Sequence, residues 1–270
     1  MRKVLHISDL HFGRVDIAVV EGLRKSVEQL EPDVIAVSGD LTQRAKRREF
    51  MAASDFLNLL RAPKVVVPGN HDIPLYNVFA RFHSPLERYR QYIGEAESVF
   101  TDDEIVVVGV NTARSLAFKG GRINLEQVRR ARELFCAGDN PRVRILVTHH
   151  PFDLANVSVN ADPVGRAAMA LEHMRQCMPD VLLAGHMHVH QAGTTTERYD
   201  LGGRSAILVH AGTATSTRAR GEQNSFNLLC VDQDSVSVWR YDWRASSSVF
   251  APGTQYKYAR VAGGWTAEES

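Results

Sequence analysis

Residues 3 to 11 read Lys-Val-Leu-His-Ile-Ser-Asp-Leu-His. An apolar, β-branched run, Lys3 to Ile7, ends in two side chains that bind metals well, Asp9 and His11, with one apolar residue between them. The arrangement recurs four times. Val34 to Val37 leads into Gly39-Asp40, Lys64 to Val67 into Gly69-Asn70-His71-Asp72, Arg144 to Val147 into His149-His150-Pro151, and Val181 to Leu183 into Gly185-His186-Met187-His188. Each run has the length of a strand, so each cluster is expected where a strand ends and a loop begins, the place where α/β folds put their chemistry. Side chains two apart on extended backbone point the same way. Asp9 and His11 are therefore expected on one ion with Leu10 in the core, and His186 with His188 repeats that geometry.

Between the first three runs the periodicity is helical, over about 16 to 30 (ending before Pro32) and about 46 to 60. This βαβαβ order predicts a largely parallel sheet with right-handed crossovers. Residues 73 to 96 interrupt it with Pro74, Pro85 and Gly94 among Tyr76, Phe79, Phe82, Tyr89 and Tyr92, and read as a small helical, cap-like insertion beside the third cluster. The alternation resumes with strand Ile105 to Val110, helix Leu125 to Phe135 behind Asn124, strand Val143 to Val147, helix Val164 to Met178 and strand Val181 to Leu183. From 189 to 260 only strands are expected, with turns at Gly202-Gly203 and Asp232-Gln233-Asp234, as an antiparallel sheet. No linker or low-complexity segment divides the clusters, so residues 1–270 are read as one domain of two packed sheets, with 263–270 a frayed tail.

Composition narrows the class. Of 270 residues, 44% are hydrophobic and 23% charged, ordinary for a folded domain with a large core. Lys and Arg number 32 against 31 Asp and Glu, a net charge of +1, so nothing global favours nucleic acid or an anionic membrane, and affinity for phosphate must be local. The amino terminus runs straight into the first strand without an apolar leader, and no apolar run approaches the roughly 20 residues a bilayer span needs. The expected location is cytoplasmic. Cys136, Cys177 and Cys230 are odd in number and far apart, which reads as reduced core thiols with no structural disulfide.

Carboxylate, imidazole and amide ligands without thiolate suit Mn, Fe, Co or Zn better than Mg or Ca, which take all-oxygen shells. Asp-x-His, Gly-Asp, Gly-Asn-His-Asp, His before Pro and Gly-His-x-His in this order resemble the calcineurin-like metallophosphoesterase superfamily over about residues 3 to 190. The size and the His149-His150-Pro151 form are most similar to its bacterial class III cyclic nucleotide phosphodiesterases. That resemblance implies a four-layer αββα sandwich, two mixed β-sheets flanked by helices, with the metal site on loops at the C-terminal ends of strands. It further implies two divalent or mixed-valence transition metal ions, one held by Asp9, His11, Asp40 and His188, the other by Asp40, Asn70, His149 and His186, with Asp40 bridging. His71 would contact the phosphate or leaving group, with Asp72 orienting it. The implied activity is hydrolysis of a small phosphodiester, a 3′,5′-cyclic nucleotide first, by in-line attack of a hydroxide shared by the ions. Two divalent ions less two carboxylates and that hydroxide leave about +1 facing the cavity, which draws in an anionic ester.

Other residues keep two readings. Of two adjacent histidines on a strand only one can face the site; the family pattern selects His149 and leaves His150 behind it or facing substrate. Arg14, following Gly13, can clamp a phosphate or merely open the next helix, and Asn111, Thr112 and Arg114 leave their strand at the same edge with the same ambiguity. Substrate contacts are thus expected among Asn70, His71, Arg14, Asn111 and His150. His190 reads as a strand histidine bonded to solvent. The aromatics of 73 to 96 read as packing the insertion onto the body rather than stacking a base, and the segment is too charged to suggest a lipid substrate. Gly212 to Gly221 borders the cavity or a subunit contact, and a homodimer stays open. Competing functions are a hydrolase for a 2′,3′-cyclic nucleotide, glycerophosphodiester, lipid-linked pyrophosphate or phosphomonoester, a nuclease (disfavoured for want of a basic track), and a metal-free scaffold.

Overall fold

The computed structural model describes residues 1–116, 120–138, 141–154, 163–195, 199, 201–217 and 221–268. The opening run forms β1 (Arg2–Ile7), followed by α1 (Ile17–Leu30), β2 (Val34–Ser38), α2 (Arg47–Leu59) and β3 (Lys64–Val67). The insertion folds as α3 (Val78–His83) and α4 (Glu87–Tyr92). Then come β4 (Val99–Thr101), β5 (Ile105–Gly109), α5 (Leu125–Cys136), β6 (Val143–Val147), α6 (Ala167–His173) and β7 (Val181–His188). The last third is β8 (Gln191–Thr194), β9 (Ile207–Gly212), β10 (Ser225–Val231), β11 (Ser235–Arg244), β12 (Val249–Val261) and β13 (Gly264–Ala267).

Two mixed sheets result, ordered β13-β12-β11-β10-β1-β2-β3 and β4-β5-β6-β7-β9-β8. In the first, β1, β2 and β3 are parallel and β10 joins β1 antiparallel. In the second, β5, β6, β7 and β9 are parallel, with β4 and β8 antiparallel at the edges. Alternate residues along each strand feed different cores, as the period of two requires. Val4, Val34 and Val65 meet Val107, Ile145, Val181 and Val209 between the sheets. Leu5, Ile7, Ile35 and Val37 turn outward onto Leu23 of α1 and Phe50 and Phe56 of α2. Val106, Val108, Leu146 and Leu208 turn outward onto Val128 and Phe135 of α5 and Leu171 of α6. Three cores separate four layers, so the expected αββα sandwich is observed.

Four local expectations need correction. The strands after 189 do not form one antiparallel sheet: β8 and β9 complete the second sheet, β9 running parallel to β7, while β10 to β13 extend the first. The helix expected over 164–178 is shortened to α6 and a 3-10 turn, Arg175–Cys177. Its amino end is diverted because Val164 and Gly165 donate their amides to the carbonyls of Pro151 and Gly121. The tail is not frayed over 264–267, since β13 pairs with β12 and Trp265 is buried, its indole N–H donating to Asp180. Finally, Cys136 and Cys177 are bonded, their Cα atoms 5.5 Å apart, pinning the end of α5 to the turn after α6, while Cys230 is free. Faces packed together by α5 and α6 brought the two thiols within reach. The expectation of reduced thiols is overturned for that pair alone.

Candidate metal centre

The C-terminal ends of β1, β2 and β3 lie side by side at one edge of the first sheet and face those of β6 and β7 across the sandwich. All five clusters therefore converge. The backbone there is not extended: Asp9, His11, Asp40, His186 and His188 have φ of 53°, 50°, 53°, 71° and 59°, the left-handed region that costs a non-glycine residue about 1 kcal/mol or more. So Asp9 and His11 share a site for a reason other than strand alternation, although Leu10 does turn into the core. Hydrogen bonds hold these conformations. Asp9 and His11 donate their amides to the carbonyls of Gly39 and Asp40, the His186 amide donates to Asp9 Oδ2, and the Gly185 amide to the His149 carbonyl. Residues 214–215 brace the first loop, the Ala214 amide donating to the Ser8 carbonyl and the Thr215 hydroxyl to that of Leu10. That much of the Gly212 to Gly221 segment borders the site, whereas Arg218 and Arg220 lie outside the described residues.

Two glycines are required by close approach. A Cβ on Gly69 would lie 2.1 Å from Asp40 Oδ1, and one on Gly185 would lie 1.8 Å from Ser8 Oγ and 2.7 Å from Asp9 Oδ2. The loops carrying Asn70 and His186 thus pass directly over the carboxylates of the other loops.

The donor atoms gather in two cages. In the first, His11 Nε2 lies 3.6 Å from Asp9 Oδ1, 3.7 Å from Asp40 Oδ2 and 3.5 Å from His188 Nε2, and His188 Nε2 lies 3.2 Å from Asp9 Oδ1. In the second, His149 Nε2 lies 3.1 Å from Asn70 Oδ1, 3.5 Å from Asp40 Oδ1 and 3.3 Å from His186 Nδ1, which is 3.2 Å from Asn70 Oδ1. Separations of 3.1 to 3.7 Å are those of nitrogen and oxygen donors that share one transition metal ion. Asp40 gives one oxygen to each cage. Asp9 Oδ1 is buried and faces the ring nitrogens of His11 and His188, as a ligand atom would. The residues fit two metal ions.

Electrostatics agrees. Burial pushes the Asp9 carboxyl up, but His11 and His188 more than offset it and hold it well below the usual carboxylate range. Burial and the neighbouring His149, His11 and His71 act the same way on Asp40, with a lowered result. Burial and the adjacent His149 push His186 down to about 4, so its ring stays neutral and able to ligate. The His149 Nδ1–H donates to the Ser38 carbonyl at 2.8 Å, which turns Nε2 inward.

Around the cages several expectations change. Both adjacent histidines, not one, reach the site: the bend after β6 brings His149, His150 and His186 into one cluster, with His150 Nδ1 and the Thr112 hydroxyl 2.8 Å apart. Asp72 is buried under four donors, the amides of Gly69, Leu41 and Thr42 and the Thr42 hydroxyl, and so ties the Asp40 loop to the Asn70 loop. Burial and Asp40 push it up to about 6. The group that orients His71 is instead the Gln43 carbonyl, which accepts from Nδ1–H at 2.8 Å; the half-buried His71 ring stands edge-on to His11, centroids 4.9 Å apart. Arg114 braces its own loop, donating to the carbonyls of Asn111 and Ala113 and to Gln127 Oε1. Asn111 Oδ1 accepts the Ala113 amide, and Arg14 is exposed beside the first loop. His190 is buried against Tyr256 rather than facing solvent. Ser38 and Gln43 act through carbonyls and had no signal in the sequence.

A dinuclear-type cage set on an αββα sandwich defines a metallophosphoesterase architecture. The profile of the calcineurin-like phosphoesterase family matches residues 2–190, and the chain belongs to that family of phosphoester hydrolases. It is 36% identical over 80 residues to the glycerophosphodiester phosphodiesterase GpdQ of Enterobacter lignolyticus (strain SCF1), a match spanning 25% of this chain and 28% of that protein. Among solved structures it resembles a purple acid phosphatase, PPD1, from yellow lupin seeds, with TM-score 0.67 at 14% identity over 97% of this chain and 54% of the other. It also resembles a dimetal phosphatase from Danio rerio, with TM-score 0.62 at 14% identity over 88% and 95% of the two chains. At these identities the likeness is one of fold. No helix among the described residues is long and apolar enough to cross a membrane.

Proposed function

We propose that this protein is a binuclear metal-dependent phosphodiesterase acting on a small phosphodiester. The observation that carries it is the pair of four-atom cages meeting at the two oxygens of Asp40. Asp9, His11, Asp40 and His188 would hold one transition metal ion, and Asp40, Asn70, His149 and His186 the other. When bound, such a pair lowers the pKa of a shared water and stabilises the attacking and leaving oxygens of an in-line displacement. The chain's own part is positioning. Asp40 fixes the spacing of the cages, and Asn70 closes the second one. His71, oriented by the Gln43 carbonyl and open to solvent on one side, is set to contact the phosphate or supply a proton to the leaving oxygen. His150 sits with His149 and His186 beside the second cage, and Arg14 and Asn111 are assigned as substrate contacts.

For the substrate, the His149-His150-Pro151 pattern supports a 3′,5′-cyclic nucleotide. The similarity to GpdQ supports a second reading, a glycerophosphodiester. A hydrolysis panel with added Mn²⁺ separates them: 3′,5′-cyclic, 2′,3′-cyclic, glycerophosphodiester and monoester substrates, with His71→Ala as control. Rapid turnover of the glycerophosphodiester with cyclic nucleotides untouched selects the second reading. A protein holding two ions per chain that hydrolyses none of the four defeats both.

A further inference from the structure

The insertion contains a helix turned inside out. In α3 the charged residue is inside: Arg81 is 3% exposed, donating from Nε to the Ser115 carbonyl at 2.7 Å and from Nη1 to that of Pro74. The apolar residues are outside. Val78, Phe79 and Phe82 are 64%, 71% and 50% exposed, joined by Leu75 and Tyr76 at 44% and 72%, and by Leu116 at 85%, one residue beyond the carbonyl that holds Arg81. Helices of folded domains bury such faces, and single domains rarely leave six large apolar side chains together in water.

Both halves of this lip grow out of the candidate metal centre. Leu75 follows Asp72 by three residues, and the loop to Leu116 starts at Thr112, whose hydroxyl meets His150. Arg44 lies over the Tyr76 ring at 5.6 Å and is next in sequence to Gln43, which orients His71. Charge selects the partner. Residues 73–86 contain no acidic residue, and the exposed side chain over Tyr76 is the cation Arg44. The acidic residues of the insertion begin at Glu87, in α4. An apolar face with no acid in 73–86 and the exposed Arg44 guanidinium at its rim fits the boundary layer of an anionic lipid surface. The lip is also too large for a small soluble diester, whose base or glycerol would cover one or two of its side chains.

We propose that α3 and Leu116 dock the protein on an anionic lipid surface, seating the metal centre against phosphodiesters presented there. What the docking delivers rests on the phosphodiesterase reading; the docking itself does not. The test is co-sedimentation of the Mn²⁺-loaded full chain with phosphatidylcholine vesicles, with and without phosphatidylglycerol. Wild type should pellet with the anionic vesicles, and Phe79→Ser/Phe82→Ser should lose at least about tenfold of that binding while keeping its thermal midpoint and two metals per chain. Arg44→Gln should weaken binding to anionic vesicles only. Docking is overturned if wild type stays in the supernatant or if the double variant pellets equally. It is also overturned if light scattering shows a wild-type dimer that the double variant splits, because a second copy then covers the lip. Vesicle binding by a wild type that hydrolyses no diester would support docking and remove the catalytic reading alone.

Discussion

In the loop Gly69–Asp72 a single added methyl group meets a carboxylate at 2.1 Å, whereas a few residues further on Tyr76 and Phe79 leave nearly three-quarters of their surface in water. The first region is over-determined. Asp72 alone accepts four hydrogen bonds there, and the left-handed residues around it persist because amides, carbonyls and packing fix them from several sides. The second is held to the body through Arg81 and spends its apolar groups outward. Preorganised chemistry requires the first state, and a surface that meets a partner requires the second.

Substitutions should separate the two regions. The largest effect is expected for Asp40→Ala, which removes the one side chain common to both cages: metal analysis should find both ions lost and activity reduced by more than about 100-fold, beyond changes in outer-shell partners. Retention of two ions per chain would refute the bridge. Next, His71→Ala should keep both metals and lower kcat about 100-fold, in the range for a lost proton donor; a variant that loses metal instead would make His71 a ligand. Gly185→Ala drives a methyl into Ser8 and Asp9 and should cost about 1–3 kcal/mol in denaturant unfolding.

Acid should act through the interior. Burial pushes His6 down to about 3 and His190 and His210 to about 4, so all three are neutral in the fold. The folded state then binds fewer protons than the unfolded one below pH 6.5. Stability is complete above that pH and falls as pH drops from 6.5 toward 4, by roughly 1.4 kcal/mol per pH unit per histidine. Urea midpoints measured from pH 7.5 to 4.5 should show this, with a shallower slope for His6→Gln; an unchanged slope would mean that His6 is protonated in the fold. The smallest effect belongs to the lip: Phe79→Ser should change unfolding free energy by less than about 0.5 kcal/mol, despite removing a whole ring. A cost of several kcal/mol would show that the ring is packed after all.

Much of this was legible in the sequence. Short apolar runs capped by Asp, Asn and His located the strands and the side chains that gather at their ends, because strand periodicity and side-chain chemistry are local. The exceptions depend on neighbours distant in the chain. Nothing in Asp9-Leu10-His11 signals a left-handed backbone, since that conformation is imposed by carbonyls from the next loop. The roles of Ser38 and Gln43 are carried by peptide groups that every residue has. The Cys136–Cys177 bond depends on how two helices pack, which spacing does not encode. The insertion's charge was counted over 73 to 96 as a whole, whereas its acids all lie in the second half and the exposed apolar residues in the first.

Each cage draws on both sheets: Asp9, His11, Asp40 and Asn70 follow strands of one, while His149 follows β6 and His186 and His188 end β7 of the other. An occupant of either cage is therefore a bolt through the sandwich. The two halves cannot part without releasing it, so heat resistance should track the free ion level, by about 2.7 kcal/mol when that level is a hundred times the dissociation constant. Starved of metal, the same chain would be most prone to open along the seam between its sheets, at the edge where its chemistry is built.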